Sequence, residues 1–360
     1  MATIKDVAKL AGVGIGTASR AISGNGSVSA DALARVTDAV AALNFRPSNA
    51  ARALSTKTAG MIGIYVPDFA GDFYGPILHT VDSELRAVNR HMVAANGCGH
   101  SNRDGRDDIE DHRQQALDGI HFLIERQCDG VLVLGDALTH ADCDSLWERM
   151  PRLVLLNQTS PANLLHCFSS DHELAGRLAA RALLERGHRE IASIAGLQYA
   201  HDNESRMTGF HDELARHGAK IPKARQMIGD FSFDGGHAAA TRLLKKEINF
   251  SALFCANDVM AMAAISALGN AGVRVPEQVS VMGYDDSALA RYTHPALTTV
   301  RIPIETTAVS GCRFLLNQCY GLSLPVEREF PPEVVWRESV VDGPHAAVGK
   351  TIGKRKLSPR

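Results

Sequence analysis

Polar and aromatic side chains that could bind a ligand follow several short apolar runs in this sequence. Five of them share a position at or just beyond the end of such a run: Tyr74, Asn157, Phe231, Asn257 and Asp285. In open α/β sheets ligands bind beyond the carboxyl ends of the strands, so these side chains can meet in one cleft. Amide and carboxylate groups fix hydroxyl groups, and rings stack on apolar faces. The set therefore suits a polyhydroxylated ligand.

Some of these positions have a second interpretation. Asn257 or Asp258 can cap the helix that follows. Asp285 and Asp286 can simply form a turn. The coincidence of several such residues at strand ends favours a binding site over these separate structural roles.

The elements that would position these residues alternate regularly. Apolar runs predict strands, and helix-period segments between them predict helices. This repetition predicts parallel sheets covered on both faces, and because the strands exceed one doubly wound domain we expect two lobes. The predicted strands are residues 61–66, 91–95, 130–134, 153–156, 191–195, 226–228, 252–255 and 279–282, and the predicted helices are 76–89, 109–126, 172–186, 205–217, 235–246 and 258–271.

The N-terminal residues have a different pattern. Apolar residues recur at helical spacing on both sides of a turn at Gly12, and Thr3 stands where an N-cap belongs, with Asp6 three residues on. A third helix begins at Ser29, and its apolar residues, Leu33 among them, can cover the first two. This is the pattern of a helix-turn-helix, whose second helix lies in the DNA major groove. An ordinary apolar helix pair is the alternative.

Charge separates this segment from the rest of the chain. Residues 1–58 carry seven Lys or Arg against three Asp, a charge of +4 in a chain whose net charge is −2. A basic head on an acidic body indicates that the head binds a polyanion. A chance excess of solvated charge is the alternative.

The segment after the third helix predicts a short hinge. Pro47 ends the helix, and residues 50–55 can form a helix of two turns, too short to be stable alone in water. We expect this helix to order only against a partner copy and DNA, with Leu54 as an apolar wedge in a minor-groove base step. A plain linker helix with Leu54 in a domain contact is the alternative.

Composition excludes several classes. No apolar run reaches the roughly 18 residues of a membrane span, and no hydrophobic signal segment opens the chain, so we expect a cytoplasmic protein. The seven cysteines include no C-x-x-C pair, which argues against a disulfide framework or a structural zinc site. The scattered histidines predict no metal ligands, and no cofactor is expected.

The enzyme motifs that the sequence resembles are incomplete. Gly12, Gly14 and Gly16 resemble half of a dinucleotide fingerprint but lack a preceding strand and a third glycine at the right spacing. Residues 349–351 resemble the end of a P-loop, but Pro344 occupies the position of its first glycine. Neither a nucleophile elbow nor a zincin motif is present in the sequence. The chain is therefore not predicted to be an enzyme.

Nine short motifs follow one another in a fixed order along the sequence. They are Thr3-Ile4-Lys5-Asp6-Val7-Ala8, Thr17-Ala18-Ser19-Arg20, Leu43-Asn44-Phe45-Arg46-Pro47, Asn49-Ala50-Ala51-Arg52-Ala53-Leu54, Asp72-Phe73-Tyr74, Arg206-Met207-Thr208-Gly209-Phe210, Asn257-Asp258-Val259-Met260-Ala261, Gly283-Tyr284-Asp285-Asp286 and Pro295-Ala296-Leu297-Thr298-Thr299-Val300. On these motifs, nearly the whole chain resembles the lactose-repressor/galactose-repressor family of bacterial transcription regulators.

The resemblance implies a homodimer, or a tetramer, that binds a pseudo-palindromic double-stranded operator. Arg20 would read a guanine edge, and Thr17, Ser19 and Ser29 would contact phosphates. The full set of implied DNA contacts is Thr3, Ile15, Gly16, Thr17, Ser19, Arg20, Ser29, Asn49, Arg52 and Leu54. The implied effector contacts are Tyr74, Asn157, Arg206, Phe231, Asn257 and Asp285.

The recognition helix departs from the family's pattern. Gly14 stands where a serine or a similar cap is common, and the two positions that often read bases are Ile15 and Gly16. Ile15 offers only apolar contact, and Gly16 offers no side chain. Ser23 also replaces a frequent asparagine, which puts one backbone contact in doubt. We therefore expect specificity to depend on Arg20, on the hinge and on DNA deformability.

These observations predict four segments. Residues 1–46 form an all-α helix-turn-helix head, 47–58 a hinge helix, 59–342 a two-lobed α/β effector domain like a type I periplasmic binding protein, and 343–360 a basic, disordered tail that could weakly contact nucleic acid. The predicted function is a ligand-responsive repressor of a carbohydrate-use operon. A sugar-binding transport protein and an enzyme of similar lobed fold are the alternatives.

Overall fold

The computed structural model describes residues 2–23, 27–45, 58–69, 73–97, 109–135, 137–245 and 249–345. It divides into two compact units, which we call the head (Met1–Gly60) and the body (Met61–Arg360). The predicted hinge helix, with Asn49, Arg52 and Leu54, lies outside the described residues, as does the chain from residue 346 onward.

The head contains three helices, α1 (Ile4–Ala11), α2 (Ile15–Ser23) and α3 (Ala30–Ala42). Thr3 caps α1, because its hydroxyl accepts a hydrogen bond from the Asp6 amide at 3.4 Å and its own amide donates to the Asp6 carboxylate at 2.8 Å. Gly12 ends α1 at a φ of +63°, which glycine adopts without steric cost. Ser29 caps α3 by accepting from an amide of its first turn.

The core of the head is small and lined by short side chains. Leu33 points outward and is 46% exposed, so the prediction that it covers the first two helices is wrong. Because α3 begins at Ala30, its inner stripe runs through positions 32, 36 and 39, one residue away from Leu33. The buried residues are Val7, Ala8, Ala11, Ala18, Ala32, Val36 and Ala39.

The body is built from eleven strands and eight helices within the described residues. The strands are β1 (Met61–Val66), β2 (His91–Asn96), β3 (Gly130–Val133), β4 (Leu153–Leu156), β5 (Cys167–Phe168), β6 (Ile191–Ala195), β7 (Gln226–Ile228), β8 (Ala252–Cys255), β9 (Ser280–Asp285), β10 (Thr298–Arg301) and β11 (Glu333–Val335). The helices are α4 (Tyr74–Ala87), α5 (Ile109–Glu125), α6 (His140–Arg149), α7 (His172–Glu185), α8 (His201–Arg216), α9 (Phe233–Lys245), α10 (Asp258–Asn270) and α11 (Ile304–Tyr320).

The strands form two sheets, one in each lobe. The first lobe has the order β2-β1-β3-β4-β5, and all its strand pairs are parallel. The second lobe has the order β11-β10-β9-β8-β6-β7, parallel except for β11 beside β10. Both sheets are therefore of the parallel type that helices cover on two faces, as predicted.

Helices from distant parts of the chain complete the first lobe. On one face of its sheet, Ile62 and Leu132 pack in a cluster with Ile77 of α4 and Leu315 of α11. On the other face, α5 and α6 cover the strands. The chain passes between the lobes three times, after β5, after β10 and between α11 and β11.

Two helices of the second lobe cross unusually closely. A methyl group at Gly176 of α7 would lie 1.9 Å from the Arg206 carbonyl oxygen, and one at Gly209 of α8 would lie 2.0 Å from the Glu173 carbonyl oxygen. Only glycine permits this backbone contact. It fixes the N-terminal half of α7 against the middle of α8.

All eight predicted strands are present, with ends that differ by at most three residues. The predictions left out β5, β10, β11, α6 and α11. The helix predicted to start at residue 205 begins at His201 instead. The chain expected to be disordered from Gly343 is hydrogen-bonded as far as His345, whose amide donates to the Gly187 carbonyl at 3.1 Å.

Candidate functional site

Three of the predicted effector residues lie at the carboxyl ends of strands, on the side where the two lobes face each other. Asn157 follows β4 of the first lobe, and Phe231 and Asp285 follow β7 and end β9 of the second. All three have positive φ angles, of +61°, +66° and +108°. Residues other than glycine adopt a positive φ only at a cost in conformational free energy, and functional sites often contain such residues. It turns the chain sharply at each strand end.

A chain of hydrogen bonds joins the lobes through His172, which the sequence did not single out. Its Nε2 lies 3.0 Å from Asn157 Oδ1, and its Nδ1 lies 2.7 Å from the Tyr284 hydroxyl. Asn157 Nδ2 donates to Asp202 at 3.3 Å, so Asn157 Oδ1 is the acceptor and His172 Nε2 carries the proton. Burial lowers the pKa of His172 to about 4, so the ring is neutral at pH 7.

Arg206 lies at the centre of the cluster with its side chain 2% exposed. It donates to Asp202 at 2.6 Å and to the Ala256 carbonyl. Its guanidinium carbon lies 3.8 Å from the centroid of the Tyr284 ring and 5.8 Å from that of Phe231. Arg206 Nε has no hydrogen-bond partner among the described residues. A buried donor of this kind is costly unless a ligand or water accepts from it.

Asp285 supplies the complementary acceptor. Within the described ranges no residue donates a hydrogen bond to its carboxylate, although Arg206 is close enough to stabilise its charge. Burial raises its pKa well above the usual range, the charges of Asp258 and Asp202 add to this, and Arg206 opposes it. The cleft therefore holds an uncommitted carboxyl beside a guanidinium with an unpaired N–H.

Phe231 precedes α9, and neighbouring residues hold it in place. A methyl group at Gly196 would lie 2.1 Å from its ring, so only glycine leaves the ring its position. Asn257 donates to the Phe231 carbonyl at 3.0 Å and accepts from the Met260 amide at 2.9 Å. Asn257 therefore caps α10, which is the second interpretation that the sequence offered for it. Its role as an effector contact stays a prediction.

Tyr74 belongs to the core of the first lobe, where it is 9% exposed. Its neighbour Phe73 forms an edge-to-face contact with it, with centroids 5.1 Å apart, and packs against the cores of both lobes. Of these two aromatic residues, Phe73 is the one that reaches across the cleft. An effector contact by Tyr74 remains a prediction.

Sequence reasoning missed Asp202 and His172, and only Asp202 has a local signal in the sequence. Asp202 precedes Arg206 by four residues, the spacing of an ion pair along one helix face. His172 directly follows Asp171, which caps α7. Its partners lie 15 and 112 residues away, so its contacts cannot be read from local spacing.

The head presents the predicted DNA contacts on its surface. Thr3, Ile15, Gly16 and Arg20 are exposed, and Thr17, Ser19 and Ser29 are partly or fully exposed. Arg20 Nε donates to the Gly16 carbonyl at 3.2 Å, which lays the side chain along α2. Ile15 is 50% exposed. The predicted contacts Asn49, Arg52 and Leu54 lie outside the described residues.

The described part of the chain contains neither a metal-binding cluster nor a membrane-spanning helix. No group of three or more His, Cys, Asp or Glu residues there could hold a metal ion. No helix there is long and apolar enough to cross a bilayer.

Comparison with protein-family models gives two matches. Residues 3–48 match the model of bacterial regulatory proteins of the lacI family. Residues 180–340 match the model of a periplasmic binding protein-like domain.

Individual proteins are similar over nearly the whole chain. The HTH-type transcriptional regulator GalR of Escherichia coli (strain K12) is 33% identical over 341 residues, which is 94% of this chain and 96% of that protein. The structure of the Lac repressor dimer bound to operator and the anti-inducer ONPF has 25% identity and a TM-score of 0.81, covering 94% of this chain and 99% of that one. A complex of the transcriptional regulator CelR with cellobiose has 30% identity and a TM-score of 0.65, covering 94% and 100%.

Proposed function

The chain belongs to the LacI family of bacterial regulatory proteins, and from that premise we propose that it represses an operon for carbohydrate use. Membership makes it a DNA-binding transcriptional regulator of the repressor type and not an enzyme, as the sequence predicts. The operon, the oligomeric state, the effector and the contact residues are the proposed parts.

The proposed DNA-binding unit is a dimer on a pseudo-palindromic operator. The Lac repressor, similar over nearly the whole chain, binds its operator as a dimer, and two-fold protein symmetry matches two-fold operator symmetry. Arg20 would donate to guanine O6 and N7, while Thr17, Ser19 and Ser29 contact phosphates. In the hinge, Leu54 would wedge into the central base step beside Asn49 and Arg52. A tetramer would pair two such dimers.

The observation that carries the effector proposal is the pairing of Arg206 with Asp285. The unpaired Arg206 Nε donates, and the uncommitted Asp285 carboxyl accepts, so together they can fix neighbouring hydroxyl groups. Phe231 and Phe73 offer ring faces for the C–H side of a sugar. CelR binds cellobiose, which supports a carbohydrate over another ligand class.

The proposed response couples the effector to the arrangement of the lobes. Asn157 of the first lobe is hydrogen-bonded to Asp202 and His172 of the second, so ligand contacts here act on both lobes. An effector shifts the equilibrium only by its difference in affinity between two lobe arrangements. That shift would change the spacing of the two hinge helices on DNA. Induction and corepression both fit this scheme.

A titration of the Asp285→Ala variant tests the effector proposal. A thermal-shift screen with monosaccharides, disaccharides and purine nucleobases identifies a ligand, and calorimetry measures its affinity. Loss of one hydrogen bond costs about 0.5–1.5 kcal/mol, so we expect binding to weaken roughly 2- to 13-fold.

The control is Asp212→Ala, which removes an exposed carboxylate from α8 and leaves the cleft intact. Unchanged effector affinity in Asp285→Ala would contradict the assignment of the site. Binding of a purine nucleobase, with no response to any sugar, would contradict the carbohydrate proposal.

A further inference from the structure

Two of the three crossovers between the lobes leave and enter the second lobe at neighbouring residues. One crossover follows Arg301, the last residue of β10, and the other ends at Glu333, the first residue of β11. Arg301 and Glu333 are register partners in the antiparallel pair of β10 and β11. One place in the second-lobe sheet therefore anchors both crossovers.

Both crossovers are short and contain proline. The first runs through residues 302–303, the second of them proline, to Ile304, which packs against the cores of both lobes. In the other, Phe330 is still buried in the first lobe, and residues 331–332, both proline, separate it from β11. The ring of proline fixes φ and so removes one of its two soft backbone dihedrals. We therefore expect lobe rotation to use the strand ends beside these prolines, because hinges usually lie at the ends of elements.

Arg301 connects these strand ends to the strand that carries an effector residue. Its guanidinium donates to Glu333 Oε1 at 2.6 Å and to Asp286 Oδ2 at 2.7 Å. Asp286 directly follows Asp285, which is the register partner of Arg301 in the parallel pair of β9 and β10. Arg301 therefore stands between the end of the effector strand on one side and the hinge end of β11 on the other.

Asp286 is the buried member of this ion-pair cluster. Its side chain is 4% exposed, and Arg337 binds its second oxygen at 2.5 Å. Arg337 also donates to the Leu297 carbonyl at 2.8 Å, a contact within the second lobe. Arg301 and Glu333 are 43% and 60% exposed, and an ion pair of that exposure adds little to stability. Loss of Arg301 therefore leaves the buried carboxylate paired, so the chief contribution of Arg301 is to position.

We propose that Arg301 is a positioning residue of the effector response, because it holds both crossovers against the strand end that carries Asp285. This proposal deepens the proposed coupling of the lobes and rests on it. A ligand that moves Asp285 also moves Asp286, and Arg301 transfers that displacement to the end of β10 and, through Glu333, to the end of β11. Without Arg301 the strands keep their backbone pairing but lose this side-chain connection, and the lobes sample a wider range of arrangements.

Double electron–electron resonance on the full-length protein tests this role without any effector. One pair of spin labels spans the lobes, at Glu125 of α5 and Asp212 of α8, and a second pair lies within the second lobe, at Asp212 and Ala238 of α9. All three positions are exposed. The labels are attached to a keto amino acid, so the cysteines stay unmodified. Labelled protein is diluted with an excess of unlabelled protein, so that distances within one chain dominate.

We expect Arg301→Met to broaden or shift the interlobe distance distribution by more than about 2 Å, the scale of ordinary domain rearrangements. The distance within the second lobe should change by less than about 1 Å. Glu333→Gln removes the charge from one of the two ion pairs and should act in the same direction with a smaller effect. Because Glu333 is exposed, this variant keeps the test valid even if Arg301→Met does not fold.

Arg113→Met is the matched control. Like Arg301, Arg113 pairs with one buried aspartate and one exposed glutamate, which are Asp142 at 2.5 Å and Glu110 at 2.7 Å. These three residues belong to α5 and α6 of the first lobe, away from the two crossovers. The control variant should leave both distance distributions unchanged.

Three results would overturn the proposal. An unchanged interlobe distribution in Arg301→Met or, if that variant does not fold, in Glu333→Gln would remove Arg301 from lobe positioning. Equal changes between and within the lobes would show that Arg301 only maintains the second lobe. An equal interlobe change in Arg113→Met would show that the loss of any such ion pair has this effect. These results leave the carbohydrate function standing, because only a wild type that binds no sugar would contradict it.

Discussion

The predicted contact residues of the head and those of the cleft differ in how deeply they are buried. In the head, the predicted contacts are mostly exposed side chains, and two key positions of α2 carry only Ile15 and Gly16. In the cleft, Arg206 is 2% exposed and already bound to Asp202. The predicted DNA contacts of the head are therefore mostly surface side chains, whereas Arg206 in the cleft is buried and already paired with a carboxylate.

Two ion pairs make this contrast measurable. Arg206–Asp202 and Arg86–Asp82 have the same residue types at the same helical spacing, at 2.6 Å and 2.5 Å. Arg86 is 68% exposed. The difference teaches that a carboxylate in the cleft depends on its partner far more than one on the surface does.

The largest expected effect follows from removing the buried cation. Arg206→Met leaves Asp202 without its counter-charge in a desolvated site, so we expect a loss of about 3–5 kcal/mol in the free energy of unfolding. Urea unfolding followed by tryptophan fluorescence measures it, because Trp147 and Trp336 both lie in the body.

The matched variant Arg86→Met should cost less than about 0.5 kcal/mol, as expected for an exposed pair. Equal losses in the two variants would break the distinction between a prebuilt cleft and an ordinary surface.

The second effect is a pH dependence that comes from a histidine, a residue type that the head does not contain. Burial holds the pKa of His172 at about 4, against an unfolded value near 6.5. The unfolded chain therefore takes up a proton first as the pH falls, and this group's stabilisation is lost between about pH 6.5 and 4. The full loss is about 3 kcal/mol.

The measurement compares the wild type with His172→Asn. Burial also raises the pKa of Asp258 to about 7 and that of Asp285, and these groups stabilise the fold as the pH falls. Only the difference between the two proteins isolates His172. The difference in the free energy of unfolding should shift by about 3 kcal/mol in favour of the variant from pH 7 to 4. A difference that stays constant with pH would contradict a buried, neutral His172 ring.

The smallest effect concerns the head. Arg20→Ala should lose about 1–3 kcal/mol of specific operator binding and relax the preference at one base pair. Ile15→Ala removes only an apolar contact and should lose less than about 1 kcal/mol. Fluorescence anisotropy with operator variants at fixed salt measures both.

Identical sequence discrimination by wild-type protein and Arg20→Ala would remove Arg20 from base reading. A larger loss in Ile15→Ala than in Arg20→Ala would show that the head reads bases through apolar contact, contrary to its sparse polar surface.

Local pattern was enough to predict most of the fold. The eight predicted strands have apolar runs that a parallel sheet requires, and the caps at Thr3 and Ser29 have local signatures. Strand β5 has two residues and β11 has three, too few for any periodicity. The helical spacing of Ala308, Cys312 and Leu315 in α11 is visible in the sequence and was left out of the prediction.

The site was harder to predict, because its geometry depends on long-range contacts. The predicted strand ends place Asn157 and Asp285 beside the cleft, but they do not reveal the positive φ angles of these residues. Tyr74 points into the core of the first lobe, whereas Phe73 points across the cleft. A shift of one residue in the position along the helix is enough to exchange these two directions. His172 joins Tyr284 over 112 residues, and no local pattern contains that contact.

The completion of the first lobe by α11 bears on the order in which the chain can fold during synthesis. Arg313 of α11 pairs with Glu84 over 229 residues, and the Tyr320 hydroxyl donates to Asp129 over 191. Of the two helices that cover the face of the sheet with Ile62 and Leu132, only α4 is therefore present until the second-lobe sheet up to β10 has left the ribosome. A nascent chain stopped before α11 should expose this apolar face and require chaperone protection.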